Sequence, residues 1–485
     1  MIEPLISPLL LDFSVVCLGI FLLMLDAFGE GLNKRVIGGI CIAGLSLIFV
    51  GTLFAQPAPP AMESLGFYVT DPTAMFFKQF LLLATILTVA MAMDHAPVFL
   101  RLVPAATPQA GLGEFFTLPV FACAGMMWMV SAKDFIMIFV SLELVTVTFY
   151  VLVAMTRRSF GSLEAGVKYL ILGALSTGFI VYGITWVFGI TGQTNLEEIR
   201  KVLPTLPAAS MPSLMFGLAL IFVALGFKIA AFPFQFWVPD VYQGAPTPVT
   251  AFLSVASKAA GFVVLLRVLD AFLVMPVIRE KVALVFTIVA AATLLYGNLA
   301  AMPQTNFKRL MAYSSVAHAG YLLIAVASIK ASFAAPAMIY YLAGYLLMTY
   351  MAFIVVVLVA KTVGGDDISD FNGLARRSPG LALGMVVAMA SLAGLPFTVG
   401  FLGKFFIFVA AFQDQQYLLI VLGAITVACG FYYYLKVVRA MYWQPSPEGA
   451  VAVEVSPLSK VLLILLSVGI FALGLFPQLI FSFFQ

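Results

Sequence analysis

Charge is what this sequence has least of. Lysine, arginine, aspartate and glutamate make up 10% of 485 residues, where a soluble chain carries about a quarter. The basic residues stand singly or in pairs in connections, so the net charge of +3 gives no basic cluster and excludes a nucleic-acid surface. Histidine occurs twice and cysteine four times. Cys17, Cys41, Cys123 and Cys429 lie far apart inside apolar runs, with no CxxC or Cys/His spacing. That excludes a disulfide framework and a metal site of the usual spacing. A GxGxxG turn after a strand, a Walker loop and a catalytic triad are all missing, which argues against chemistry on a soluble substrate. The opening MIEPLISPLLLDF has no basic segment before its apolar run. It reads as a retained first helix and not as a cleaved leader.

What the chain has in excess is apolar sequence. Hydrophobic residues reach 63% and the mean hydropathy is +1.10. The apolar runs are continuous over about 20 residues, the length that spans a bilayer as a helix, whereas a barrel would show shorter alternating strands. The expectation is an all-α polytopic membrane protein with about fourteen spans. Their approximate cores are 6–26, 36–55, 72–93, 114–131, 134–155, 163–190, 212–243, 249–273, 281–301, 306–328, 332–361, 380–412, 415–442 and 458–482. The longest connections, 94–113, 191–211 and 362–379, leave no room for a soluble domain, so residues 1–485 form one membrane domain.

Lysine and arginine in the connections orient the spans. One side carries Lys34, Arg35, Arg101, Arg157, Arg158, Lys308, Arg309, Lys361, Arg376, Arg377, Lys436, Arg439 and Lys460. The other carries Lys133, Arg200, Lys201, Arg279, Lys281 and Lys330. The richer side is expected in the cytoplasm, which puts both termini outside.

Six basic residues remain within spans: Lys78, Lys168, Lys228, Lys258, Arg267 and Lys404. Charge at bilayer depth is costly and persists mainly where it faces protein or water and has a task. The organising stretch is Leu225–Phe262, LGFKIAAFPFQFWVPDVYQGAPTPVTAFLSVASKAAGF. It holds Lys228 and Lys258 on either side of Pro233, Pro239, Pro246 and Pro248, which forbid one continuous helix. A broken helix at that depth must be buried in protein or line a cavity. An echo follows in the twelfth span, where Ala393-Gly394-Leu395-Pro396-Phe397 matches Ala230-Ala231-Phe232-Pro233-Phe234. Each proline has a lysine nearby, Lys228 or Lys404. The two breaks lie five spans apart, so the repeat units run in opposite senses, a pattern that points to a transport site.

Glu143, in SLELVTVTFYVLVA, is the one carboxylate well inside a span; the bland reading is a structural hydrogen bond to a neighbouring helix. Snorkelling is the bland reading for the lysines. Lys258 is too deep for it, whereas Lys168 is near enough to its helix end to allow it. His318, in KRLMAYSSVAHAGYLLIA, could be a packing histidine, yet Tyr313, Ser314, Ser315 and Tyr321 around it suggest a wet path along which imidazole can pass protons. Lys78 and Arg267 read as structural or lipid-facing, and His95 as an inert loop residue. In general, burial disfavours a lysine's charge and a nearby carboxylate restores it. Lysines joined by Ser, Thr, Tyr, His and water could therefore form a proton relay.

These segments resemble the antiporter-like proton-translocating subunits of respiratory complex I, over nearly the whole chain and most strongly from about 130 to 410. WVPDVYQGAPTPVTAFLSVASKAAGF is specific to the N-type subunit of bacterial NADH:quinone oxidoreductase, and NFKRLMAYSSVAHAGY and SLAGLPFTVGFLGKFFIF belong to the superfamily generally. The resemblance implies fourteen helices, with spans 4–8 (114–273) and 9–13 (279–443) as inverted repeats. An N-terminal three-helix segment (1–113) and a C-terminal helix (456–485) would flank them. It implies a regulating pair, Glu143 with Lys228, and an inner relay through Lys168 and Lys258. His318 would lie on the central axis, with Lys404 as the terminal lysine of an outward half-channel and helix breaks at Pro233 and Pro396. The implied activity is proton translocation coupled to electron transfer from NADH to quinone. No cofactor or metal is expected in this chain; FMN, iron–sulfur clusters and quinone would sit in partner subunits. Expected partners are M- and K-type neighbours, then L, A, J and H, the peripheral arm and lipid, in a bacterial inner membrane. A stand-alone or Mrp-type cation/proton antiporter is the alternative.

Overall fold

The structure is a computed structural model that describes residues 7–29, 31–55, 66–103, 109–447, 449 and 451–484. Among the described residues thirteen helices are long and apolar enough to cross a membrane. A fourteenth crossing, the twelfth in order, is made of two shorter helices, Pro379–Ala393 and Val399–Gln413. Helix starts follow the side chains that can cap them. Asp71, Asp134, Ser159, Asn306 and Ser456 each accept a bond from a backbone N–H two or three residues on, satisfying donors that a first turn leaves free.

The third span, Pro72–Leu102, runs nine residues beyond the apolar core expected for it. The connection expected over 94–113 is mostly helix. His95 is therefore not a loop residue: it is buried within that helix, and its Nδ1 has no hydrogen-bond partner. The helix continues because Ala92, Ala96 and Phe99 keep one stripe of it against the core, so burial overrides the polar residues Asp94 and His95.

Both breaks are built alike. Met211–Ile229 ends at Ala230 with φ of +64°, and Ala231 N–H reaches back to Gly226 O at 2.9 Å. Pro379–Ala393 ends at Gly394 with φ of +94°, and Leu395 N–H bonds Ala390 O at 2.9 Å. Each is a left-handed C-terminal cap with a six-to-one hydrogen bond. The equivalence is shifted by one from the sequence echo, because the left-handed residues are Ala230 and Gly394 while the echo sets Ala231 against Gly394. After the first break the chain re-enters helix at Trp237–Gly244. The eighth span, Thr247–Phe272, carries a π-helical turn at Leu253–Ser257, directly before Lys258.

The third, eighth, tenth and eleventh spans are the most enclosed by protein, and Phe307–Ala327 is buried at every residue except Arg309. A polar residue buried there needs a hydrogen-bond partner.

Candidate functional site

The tenth span, Phe307–Ala327, is the spine of the site. Ser314, Ser315, His318 and Tyr321 recur at one-turn spacing and so share a face. All four are buried.

On one side of this spine lies Lys258. The π turn places its ammonium 2.5 Å from Ser315 O and in hydrogen-bond contact with Ser315 Oγ. Ser315 Oγ lies 3.1 Å from Tyr242 Oη on the second half of the broken seventh span. One turn further, His318 Nδ1 is 2.6 Å from Tyr341 Oη, and its Nε2 is 2.9 Å from Tyr434 Oη. Tyr434 also contacts Ser314 Oγ. The imidazole therefore has a hydroxyl at each nitrogen, so a proton could arrive at one and leave from the other. On the far side Lys404 sits 5.1 Å from the Tyr321 ring centroid, a cation–π distance. Its ammonium donates to Leu392 O and Ala393 O at 2.9 and 2.8 Å. These are the carbonyls left open where the half-helix stops, the negative end of its dipole. Tyr321 continues to Thr426 Oγ1 at 3.0 Å.

Lys228 lies in the last turn of the first half-helix, buried. Its ammonium donates to Thr146 Oγ1 at 3.4 Å. Glu143 lies one turn before Thr146 on the same helix, and its Oε1 accepts from Thr177 Oγ1 at 2.6 Å. The two implied partners are thus electrostatic neighbours without a direct ion pair, each bonded to a threonine hydroxyl of its own. Gly261, one turn beyond Lys258, gives the Lys228 stem its room. A Cβ there would stand 3.2 Å from Lys228 Cγ and 3.0 Å from Ile229.

Lys168 is placed apart from the buried lysines. Its side chain is 42% exposed and pairs with Glu164 at 2.7 Å and Asp240 at 2.6 Å. Asp240 simultaneously holds Arg309 at 2.8 Å. Glu164, Asp240 and Arg309 border a cavity of about 620 Å³ that also reaches Lys308, Asp366 and His95. Beside it Lys308 pairs with Asp366 at 2.9 Å. Burial pushes the Asp366 carboxyl up, but Lys308 and the Asn306 amide outweigh it and hold the group below its ordinary value. Asp240 went unnoticed in the sequence, although a carboxylate among the prolines of the broken span was the available signal.

Lys78 and Arg267 do not face lipid. Lys78 is fully buried, 2.9 Å from Asp12 Oδ2 and also bonded to Tyr68, whose hydroxyl donates to Asp12 at 2.6 Å. Arg267 forks onto both oxygens of Asp71 at 3.0 and 2.9 Å and donates to Val130 O. Among the described residues no group of three or more His, Cys, Asp or Glu side chains converges as a metal cluster would.

The family described as NADH:quinone oxidoreductase/Mrp antiporter, transmembrane, matches residues 132–430. The NADH-quinone oxidoreductase subunit N of Moorella thermoacetica is 38% identical over 97% of this chain and 95% of its own. A subunit N of Solibacter usitatus is 39% identical over 97% and 95%. A chain of respiratory complex I from Thermus thermophilus with bound aureothin superposes with a TM-score of 0.79 at 32% identity, covering 97% of this chain and 98% of its own. A chain of the Mrp complex from a Dietzia species gives 0.83 at 19% identity, over 98% and 95%, a likeness of fold alone. Among the described residues fourteen crossings, two of them broken beside buried lysines, define an antiporter-like membrane protein. The chain belongs to the NADH:quinone oxidoreductase/Mrp antiporter transmembrane family, and within it to the subunit N group.

Proposed function

We propose that this chain translocates protons in the membrane arm of an NADH:quinone oxidoreductase, driven by electron transfer in partner subunits. The observation that carries the reading is the polar row along the buried tenth span. It runs from Lys258 on Ser315 to His318 with Tyr341 and Tyr434 one turn on, and then to Tyr321, whose ring faces Lys404. With Lys228 and Glu143 at its start, this row is the relay. Lys168 stands at the access end through its pair with Asp240, which with Arg309 lines the 620 Å³ cavity. Lys404 is the terminal carrier. FMN, iron–sulfur clusters and quinone belong to the partners, which on this reading are M- and K-type neighbours, then L, A, J and H and the peripheral arm. The location is a bacterial inner membrane with both termini periplasmic, as the lysine and arginine asymmetry supports.

The relay sits in two inverted repeats, 114–273 and 279–443. Matching backbone bridges support this division. Asp134 pairs with Asn195 and Asn306 with Asp367, each at the cap of the second helix of its repeat. In each, the residue after the cap donates its N–H into the partner loop: Phe135 to Thr194 O and Phe307 to Asp366 O. A cation/proton antiporter of Mrp type is the second reading, supported by the shared fold; sodium-dependent exchange by the isolated chain would favour it.

The test is Lys228→Ala and Glu143→Ala in the assembled complex, reading proton pumping and quinone reductase activity together. Each is expected to lower pumping by roughly tenfold or more, since positioned proton carriers contribute at least that much. Pumping at the parent rate in both would sink the relay.

A further inference from the structure

A second large cavity, about 950 Å³, opens on the face opposite the Asp240 cavity. Its rim carries Lys133, Glu197, Arg200 and Asp270, joined in ion pairs of 2.6 Å (Lys133–Glu197) and 3.1 Å (Arg200–Asp270). Charge at the rim marks a mouth in water and not in lipid. The walls come from the third, eighth, tenth and eleventh spans, the four most enclosed ones.

Its depth is the telling feature. A dimple between loops would stop at the helix ends. Here Val263 lines the cavity nine residues before its helix ends at Phe272, about 13 Å down at 1.5 Å per residue. Two helices bring the floor near the central station. Val263 is five residues from Lys258 and Met338 three from Tyr341, or about 4–8 Å along each axis, and Ala325 is seven from His318, about 10 Å. Tyr341 is the hydroxyl on His318 Nδ1. All three floor side chains are apolar and buried, so the floor can dewet, and a narrow hydrophobic constriction gates by dewetting.

We infer that this cavity is an aqueous access path from the Lys133/Arg200 face to the Lys258–His318–Tyr341 station, gated by Val263, Ala325 and Met338. It is distinct from the path ending at Lys404. When the floor wets, a water accepts a proton from the Lys258 ammonium, which is left as a neutral amine that the relay protonates again. The hydronium leaves through the rim. The inference rests on the relay proposed above.

The experiment uses the assembled complex in sealed vesicles, with Val263→Cys and Ala325→Cys as separate variants so that loss of assembly in one leaves the other. A membrane-impermeant cationic methanethiosulfonate is applied from either side. Arg200→Cys at the rim reports which side the mouth faces, and the parent chain controls for its own four cysteines. The expected result is modification of the floor cysteines from the same side as Arg200→Cys only, with pumping falling several-fold. No modification from that side overturns the proposal, and so does modification that leaves pumping unchanged. The Lys228→Ala variant separates this from the relay itself. If Lys228→Ala still pumps normally, the relay fails; if only the floor cysteines behave otherwise than expected, the access path alone fails.

Discussion

A single hydroxyl can decide whether a buried charge moves. Lys228 faces Thr146, and Glu143 is held by Thr177, so each charge rests on a hydroxyl, a group that both donates and accepts. A direct ion pair at this depth would tend to lock both charges, whereas charges that each rest on a separate hydroxyl can change their coupling with a small shift. The same register recurs in the second repeat. Thr146 lies twelve residues past the capping Asp134, and His318 twelve past the capping Asn306. Glu143 and Ser315 are both ninth. The second repeat thus has a histidine where the first has the lysine's threonine partner, and a serine where it has the carboxylate. Tyr434→Phe removes the hydroxyl from His318 Nε2 and from Ser314 while keeping the ring packed. It is expected to slow proton transfer several-fold with assembly unchanged, measured as pumping per quinone reduced. An unchanged ratio would take Tyr434 out of the path.

Elements set how near the lysines can come to one another. Each half-helix ends in a left-handed cap, so its last carbonyls stay open within the membrane. Lys404 occupies those of Pro379–Ala393, and Trp237 Nε1 donates to Phe227 O at the end of Met211–Ile229. The π turn before Lys258 widens one turn of the eighth span; such bulges are frequent at functional sites. Gly261 lets the Lys228 stem pass against that helix. Gly261→Val puts branched carbons where Lys228 Cγ already stands at 3.2 Å from a single Cβ. Pumping should fall to a small fraction of the parent's while the complex still assembles, judged by native gel and by electron transfer uncoupled from pumping. Gly261→Ala, which needs only a few tenths of an ångström, should fall between the two. If Gly261→Val pumps normally, the close approach of Lys228 has no part in transfer.

At the scale of the molecule, loops tie the ends of distant spans together. The start of the tenth span is fastened to the connection after the eleventh by Lys308–Asp366 and by Asn306 to Asp366 and Asp367. Because the folded Asp366 is held below its ordinary value, its contribution is complete above about pH 4 and is lost as pH falls through the lowered value. Asp366→Asn should therefore melt at a lower temperature than the parent at pH 7, and the gap should close below about pH 4. A gap that is constant with pH would mean the effect is not the carboxylate's charge.

Much of this architecture could be read before any coordinates. The apolar runs located fourteen crossings because a bilayer demands about 20 apolar residues per helix. The prolines located both breaks because proline cannot continue a helix. The buried lysines, Glu143 and His318 stood out because unpaired charge and polarity are rare at that depth. Local pattern carries all of these. It does not carry distance between spans. That Lys168 pairs at a half-exposed mouth, that Lys78 is sealed against Asp12, and that Asp240 bridges two cations were decided by packing between residues far apart in the chain. So were the separate threonine partners of Glu143 and Lys228 and the cavity that stops a turn short of Tyr341. A side chain's neighbours across a helix interface depend on crossing geometry and rotation, which no single stretch of sequence specifies.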